Sequence, residues 1–126
     1  INISSIAAAS PQEVFPHYSA MKAGLSNFTV SLAQTLAPDK ILVNSISPGP
    51  VWSKSWENEA REQSNGSSLE QTKKEIMEQT GKTVPLNRMG MPEDLTGLAL
   101  FLASEQSAWI TATNFNVDGG LTRNPF

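Results

Sequence analysis

The sequence predicts an α/β protein built on a parallel sheet, and three observations carry that expectation. A short β-branched run, Ile1 to Ile6, is followed by a long stretch with helical spacing, His17 to Ala37, and then by a second short apolar run, Ile41 to Ile46. Strand, long helix and strand in that order form a crossover unit, whose two strands run parallel. A further helix pattern and strand pattern after Pro92 continue the alternation. At 126 residues and 39 % hydrophobic content, the chain is within the size of one small domain.

Each element has a local reason. Ile1 to Ile6 has the short β-branched character of a buried parallel strand. The loop from Ala7 to Phe15 contains Pro11 and is closed by Pro16, which discourages a long helix there. Met21, Leu25, Phe28, Leu32 and Leu36 then recur at intervals of three and four, a continuous apolar stripe on one helix. Pro38 with Asp39 ends it. The strand Ile41 to Ile46 is closed by Ser47-Pro48-Gly49-Pro50. Between Val51 and Val84 the one helical signal is Leu69 to Gln79. There Ser68 and Gln71 suit a capping box, Glu70 and Lys74 an i,i+4 pair, and Leu69, Ile76 and Met77 a modest apolar face. Trp52 and Trp56 are large apolar side chains in a polar segment; they either line a substrate pocket or anchor the segment to the body. Pro92 at the first helical position and Glu93 and Asp94 in the first turn start the last helix, which buries Leu95, Leu98, Ala99 and Leu102. Trp109-Ile110-Thr111 and Asn114 to Val117 read as a final strand that turns at Asp118-Gly119-Gly120.

Composition narrows the function. A net charge of −3 and a pI near 5.1 offer no basic surface to nucleic acid or an anionic membrane. With no cysteine there is no disulfide, thiolate metal site or cysteine nucleophile, and a single histidine argues against a histidine metal centre. No apolar run approaches the ~20 residues of a membrane span. A cytoplasmic location is expected. The chain enters a strand directly at Ile1, so it is expected to be the later portion of a larger polypeptide.

The chemistry-bearing stretch is Tyr18-Ser19-Ala20-Met21-Lys22, with the only tyrosine of the chain. Four residues on a helix put Lys22 beside the Tyr18 ring, about 6 Å along the axis. A phenol by itself is a poor acid or base at neutrality. An ammonium nearby favours the phenolate, so the pair is suited to passing a proton to or from a bound oxygen. The ligand edge of a parallel sheet is its carboxyl end. That puts Ser5 and Pro48-Gly49 at one cleft. Glycine at 49 lets backbone approach a flat ligand, and the amides after it can meet a carboxamide.

Taken together, Asn2-Ile3-Ser4-Ser5, Tyr18 to Lys22, Val43-Asn44, Pro48-Gly49-Pro50-Val51, Arg88 to Asp94, Phe101 to Ser104 and Val117 to Gly120 resemble the short-chain dehydrogenases/reductases, in that family's order. The resemblance implies the C-terminal half of a Rossmann-like doubly wound parallel sheet spanning residues 1–126. It also implies an NAD- or NADP-dependent oxidoreductase that interconverts a small-molecule alcohol and a carbonyl. In that reading Tyr18 is the acid/base, Lys22 favours its phenolate and holds the nicotinamide ribose, and Ser5 hydrogen-bonds the reacting oxygen. Pro48, Gly49, Val51 and Ser53 join Tyr18 and Lys22 around the cofactor, Ser53 standing where the family usually has threonine. Apart from the resemblance, Val14, Phe15, His17, Trp52 and Trp56 suggest a partly apolar substrate pocket, the anchoring role of the two tryptophans staying open. Ala112 stands where the family usually has glycine. The family's glycine-rich phosphate loop and the residue that reads the adenosine ribose lie in the half not present here, so a missing N-terminal half is an expected partner. A homodimer or homotetramer pairing through Tyr18 to Ala37 and Trp109 to Phe126 is likewise implied.

Two other classes compete. One is a non-enzymatic remnant serving as an assembly or binding module. The other is a hydrolase using Ser5, which the lack of any motif around His17 disfavours.

Overall fold

The computed structural model describes residues 1–11, 13–66 and 68–123. Its centre is a three-stranded parallel sheet in the order β1 (Asn2–Ile3), β2 (Ser45–Pro48), β3 (Asn114–Val117). Helix α1 (Pro16–Leu36) crosses from β1 to β2. Helices α2 (Lys54–Gln63), α3 (Leu69–Gly81) and α4 (Glu93–Leu102) lie between β2 and β3. The α/β class and the parallel pairing agree with the reading from sequence.

The strands are shorter than their apolar runs, for visible reasons. The first ends at Ile3 because Ser5 turns the chain: its side chain caps a single 3-10 turn, Ile6–Ala8, by accepting from the Ala7 amide at 3.1 Å. The second starts at Ser45, not Ile41, and Ile41 and Leu42 are exposed. Side chains replace the ladder there. Thr111 Oγ1 accepts from the Val43 amide at 3.0 Å. Asn44 donates to the Ile110 carbonyl at 2.8 Å and accepts from the Thr113 amide at 3.1 Å. The same substitution keeps Trp109 to Thr111 out of β3, and Trp109 is 98 % exposed.

Helix α1 begins one residue early, with Pro16 in its first turn, and ends at Leu36. Its apolar stripe does not define its inner face: Met21 and Phe28 are exposed, whereas Ser19, Thr29 and Ala33 are buried. The seam against β1 is polar. Asn2 donates to Thr29 Oγ1 at 2.9 Å, and the Ser4 hydroxyl meets the Lys22 carbonyl at 3.1 Å and the Ser26 hydroxyl at 2.8 Å. Small polar side chains let the helix lie close to the strand, and their bonds offset the cost of burying them.

The central strand follows the same logic. Ile46 is fully buried between Ser45 and Ser47, whose hydroxyls both donate to Asn114 Oδ1 at 2.8 Å, linking β2 to β3. Among the described residues, no buried side-chain polar atom lacks a partner.

A second apolar cluster lies under α2 and α3: Trp52, Ala60 and Met89, with Trp56, Leu69, Ile76, Met77 and Met91 packed on it. Helix α2 was not expected from sequence. It is strung with Lys54–Glu57, Glu57–Arg61 and Glu59–Gln63 contacts at helical spacing. Those pairs are the signal that could have revealed it. In α3, Ser68 caps as expected by accepting from the Gln71 amide at 3.1 Å, but the Gln71 side chain reaches Glu75 instead of closing the box. Lys74 lies 3.9 Å from Glu78, not paired with Glu70. Pro92 is the N-cap of α4, one residue before the position expected, and Leu102 is buried as expected. Asn124, Pro125 and Phe126, the end of the expected pairing segment Trp109 to Phe126, lie outside the described residues. No helix among the described residues is long and apolar enough to cross a membrane.

Ala112 carries a positive φ of 59°, with its amide bound to the Val43 carbonyl at 2.8 Å. The chain thus keeps a left-handed turn with a residue that is strained in it. Ala112→Gly is expected to raise stability by about 0.5–1 kcal/mol, the relief of the Cβ clash less glycine's entropy loss, read by urea denaturation.

Candidate active site

The carboxyl ends of β1 and β2, the first turn of α1 and the start of α2 enclose an open cleft of about 840 Å³. Tyr18, Lys22, Pro48, Gly49, Val51, Ser53, Phe15, His17, Trp52 and Trp56 all line it. Ser5 does not. It lines an adjoining cleft of about 310 Å³ with Tyr18, Gly49, Pro50 and Trp56. Tyr18, Gly49 and Trp56 belong to both, so the phenol stands between the side occupied by Lys22 and the side occupied by Ser5.

Helical spacing carries Lys22 beside Tyr18, with Nζ 5.7 Å from the ring centroid. The ammonium donates to the Ile3 carbonyl at 2.8 Å, which fixes it at the carboxyl end of β1. Tyr18 is 44 % exposed and so open to a ligand. Ser5 Oγ accepts the Ala7 amide; a hydroxyl that accepts one bond can still donate its own proton. His17 is exposed, edge-on to Phe15 with ring centroids 6.3 Å apart, and lines the larger cleft, whereas Ser5 lines the smaller. No group of three or more potential metal ligands occurs among the described residues.

The two tryptophans divide the alternatives left by the sequence. Trp52 is buried at the centre of the α2–α3 cluster, with Lys73 Nζ 5.1 Å from its ring, and still shows one side to the cleft. Trp56 is half-buried and borders both clefts.

Gly49 has a reason that sequence reasoning missed. A Cβ there would come within 2.7 Å of Asp118 Cβ and 2.8 Å of its Cα. The glycine is required by the close passage of the β3 end, whatever ligand sits nearby. Asp118 is itself pinned: its carboxylate accepts from the Gly120 amide at 2.9 Å, the Thr122 amide at 2.8 Å and the Thr122 hydroxyl at 2.6 Å. Burial pushes its pKa up, but these hydrogen bonds, together with that of Leu121, outweigh it and hold the group below the usual carboxylate range.

Val51 forms a parallel bridge with Gly90. The bonds are made by its neighbours, Gly90 N–H to the Pro50 carbonyl and Trp52 N–H to the Gly90 carbonyl, both at 2.9 Å. In a parallel bridge the central residue's own N–H and C=O face the opposite side. Val51 therefore offers a donor and an acceptor together, the pattern that complements a carboxamide. Ser53 is the N-cap of α2 but makes no capping bond with its side chain, so its exposed hydroxyl is free for the cleft. The donor set fits a nicotinamide. Gly90 lies in a turn flanked by Arg88, whose guanidinium grips Asp94 with two bonds of 2.7 Å while the Met91 amide donates to the same carboxylate at 2.8 Å. The Arg88 hydrogen bonds, then that of Met91, hold the Asp94 carboxyl well below the usual range.

The sequence profile described as "Enoyl-(Acyl carrier protein) reductase" matches residues 1–122. The chain belongs to the short-chain dehydrogenase/reductase family. It is similar to an uncharacterized oxidoreductase of Mycobacterium tuberculosis, 41 % identical over 103 residues, covering 82 % of this chain and 37 % of that protein. It is also similar to the 3-oxoacyl-[acyl-carrier-protein] reductase FabG of Chlamydia pneumoniae, 39 % identical over 122 residues, covering 97 % and 44 %. Among solved structures, L-sorbose reductase from Gluconobacter frateurii complexed with NADPH and L-sorbose superposes with a TM-score of 0.86 at 30 % identity, covering 97 % of this chain and 46 % of that one. The chain thus spans less than half the length of these relatives, and its three strands correspond to one part of a larger Rossmann-type sheet.

Gly49→Ala is expected to destabilise the fold by about 1–3 kcal/mol through overpacking against Asp118, measured by chemical denaturation. The Arg88–Asp94 pair sets a pH dependence. A carboxyl whose folded pKa is depressed contributes its full stability above the unfolded value of about 3.9, and that contribution is lost as pH falls through the folded pKa. Urea midpoints measured from pH 6 down to pH 2.5 should therefore fall less steeply in Asp94→Asn than in the parent, with the parent more stable at pH 6.

Proposed function

We propose that this chain is the catalytic half of an NAD(P)-dependent oxidoreductase that interconverts a hydroxyl and a carbonyl. The observation that carries the reading is Tyr18 at the junction of two clefts, with the Lys22 ammonium tied to the Ile3 carbonyl beside it. In the reducing direction Tyr18 Oη gives its proton to the substrate oxygen; in the oxidising direction it takes the proton back. Lys22 favours the phenolate left behind. Ser5 Oγ donates to the same oxygen, so two hydroxyl donors meet the charge that develops there. Pro48, Gly49 and Ser53 would line the place of a nicotinamide, the Val51 N–H and C=O would hold its carboxamide, and Lys22 would bind beside it. When bound, the nicotinamide supplies or accepts the hydride.

The phosphate-binding part of such a site is contributed by a second half, joined to this chain or assembled with it. The length of the relatives supports this: each is more than twice as long as the segment matched. Exposed Met21 and Phe28 on α1, and Trp109 before β3, give apolar surface through which copies of the enzyme pair.

With the complete enzyme, Tyr18→Phe should lower kcat about 10²–10⁴-fold while NADPH binding, followed by fluorescence titration, is retained. Near-parental turnover in that variant would refute the proton-transfer role. Intact mass together with the same titration separates this reading from an inert assembly module, which would be a fragment without NADPH affinity.

A further inference from the structure

We infer that the substrate is a neutral, polyhydroxylated carbonyl compound, a ketose or its polyol, held beside Tyr18 by Trp56 and Glu59; this deepens the oxidoreductase reading above and rests on it. Trp56 and Glu59 are three residues apart on α2 and so share a face, and both line the cleft that contains Tyr18 and Lys22. Glu59 is exposed and accepts from Gln63 Nε2 at 2.9 Å through one oxygen. A carboxylate has about four acceptor sites, so most of them remain for a ligand.

The charge inventory decides the class. The charged side chains lining the larger cleft are Lys22 and Glu59, His17 aside, and the adjoining cleft has none. Lys22 is already bonded to the Ile3 carbonyl. A carboxylate or phosphate carried near the reacting carbon would face Glu59, and Lys22, the one lysine among the lining residues, is bonded to Ile3 and engaged beside Tyr18 and the cofactor in the reading above. A polyol reverses that balance. Its hydroxyls donate to the carboxylate in charge-assisted bonds, and its C–H face lies on the indole of Trp56. Ser55, one residue before Trp56, adds a hydroxyl to the same cleft.

The test is NADPH oxidation by the complete enzyme with L-sorbose, D-fructose, acetoacetyl-CoA and acetoacetate as alternative substrates. A ketose should give the highest kcat/KM. Glu59→Gln should raise its KM about tenfold or more while kcat changes by less than about threefold, the pattern of lost binding. Glu59 is on the helix surface, so this variant folds, and Glu59→Lys should move the preference toward acetoacetate. Turnover of acetoacetyl-CoA without the ketoses overturns the inference and leaves the oxidoreductase reading standing. An unchanged ketose KM in Glu59→Gln also overturns it. Inertness toward all four overturns it too, and NADPH titration then judges the oxidoreductase reading separately.

Discussion

The Lys22 ammonium bonded to the carbonyl of Ile3 joins the long helix to the end of the first strand, and the geometry of the cleft follows from that contact. Around it, Asn2 with Thr29 and Ser4 with Ser26 make the rest of the helix–strand seam. Apolar packing is non-directional and would tolerate a helix that slides or rotates. Hydrogen bonds between short side chains do not, since each demands its partner within about 3 Å. The seam thereby holds the first turn of α1, and Tyr18 with it, at one place relative to the sheet.

The other wall of the cleft is assembled by a relay of backbone contacts. Arg88 clamps Asp94, the clamp shapes the turn that contains Gly90, and Gly90 pairs with Val51. The outcome leaves the Val51 N–H and C=O together on the side away from Gly90. Gly49 allows the ends of β2 and β3 to come together, and the pinned Asp118 supports them from behind. Trp52 fastens α2 and α3 to this wall through the second apolar cluster, while Trp56 and Glu59 look into the space left between them. Helix α1 thus holds Tyr18 and Lys22, and α2, packed separately against α3, holds Trp56 and Glu59.

The alternation of short apolar runs with 3.6-periodic stretches was enough to read the α/β class, the parallel pairing and the two longest helices, because those depend on local spacing alone. The Tyr18–Lys22 pair was legible for the same reason: four residues on a helix is a distance. Strand limits were not legible. Ile41 and Leu42 resemble strand residues, but Asn44 and Thr111, 67 positions apart in sequence, take over the backbone groups that a ladder would have used. Nor did the Met21–Phe28 stripe reveal the inner face of α1, since polar bonds to β1 decided which side turns inward.

By itself, then, the sequence determined the class of fold, the order of its strands and longest helices, and the placing of Lys22 beside Tyr18, all consequences of neighbours within a few residues. Tertiary structure alone decided that Gly49 answers to Asp118, that Val51 pairs with Gly90, that Ser5 and Lys22 line different clefts beside Tyr18, and that Glu59 lines the larger one. Each of these depends on segments far apart in the chain meeting at a few ångströms, and no local pattern encodes such a meeting.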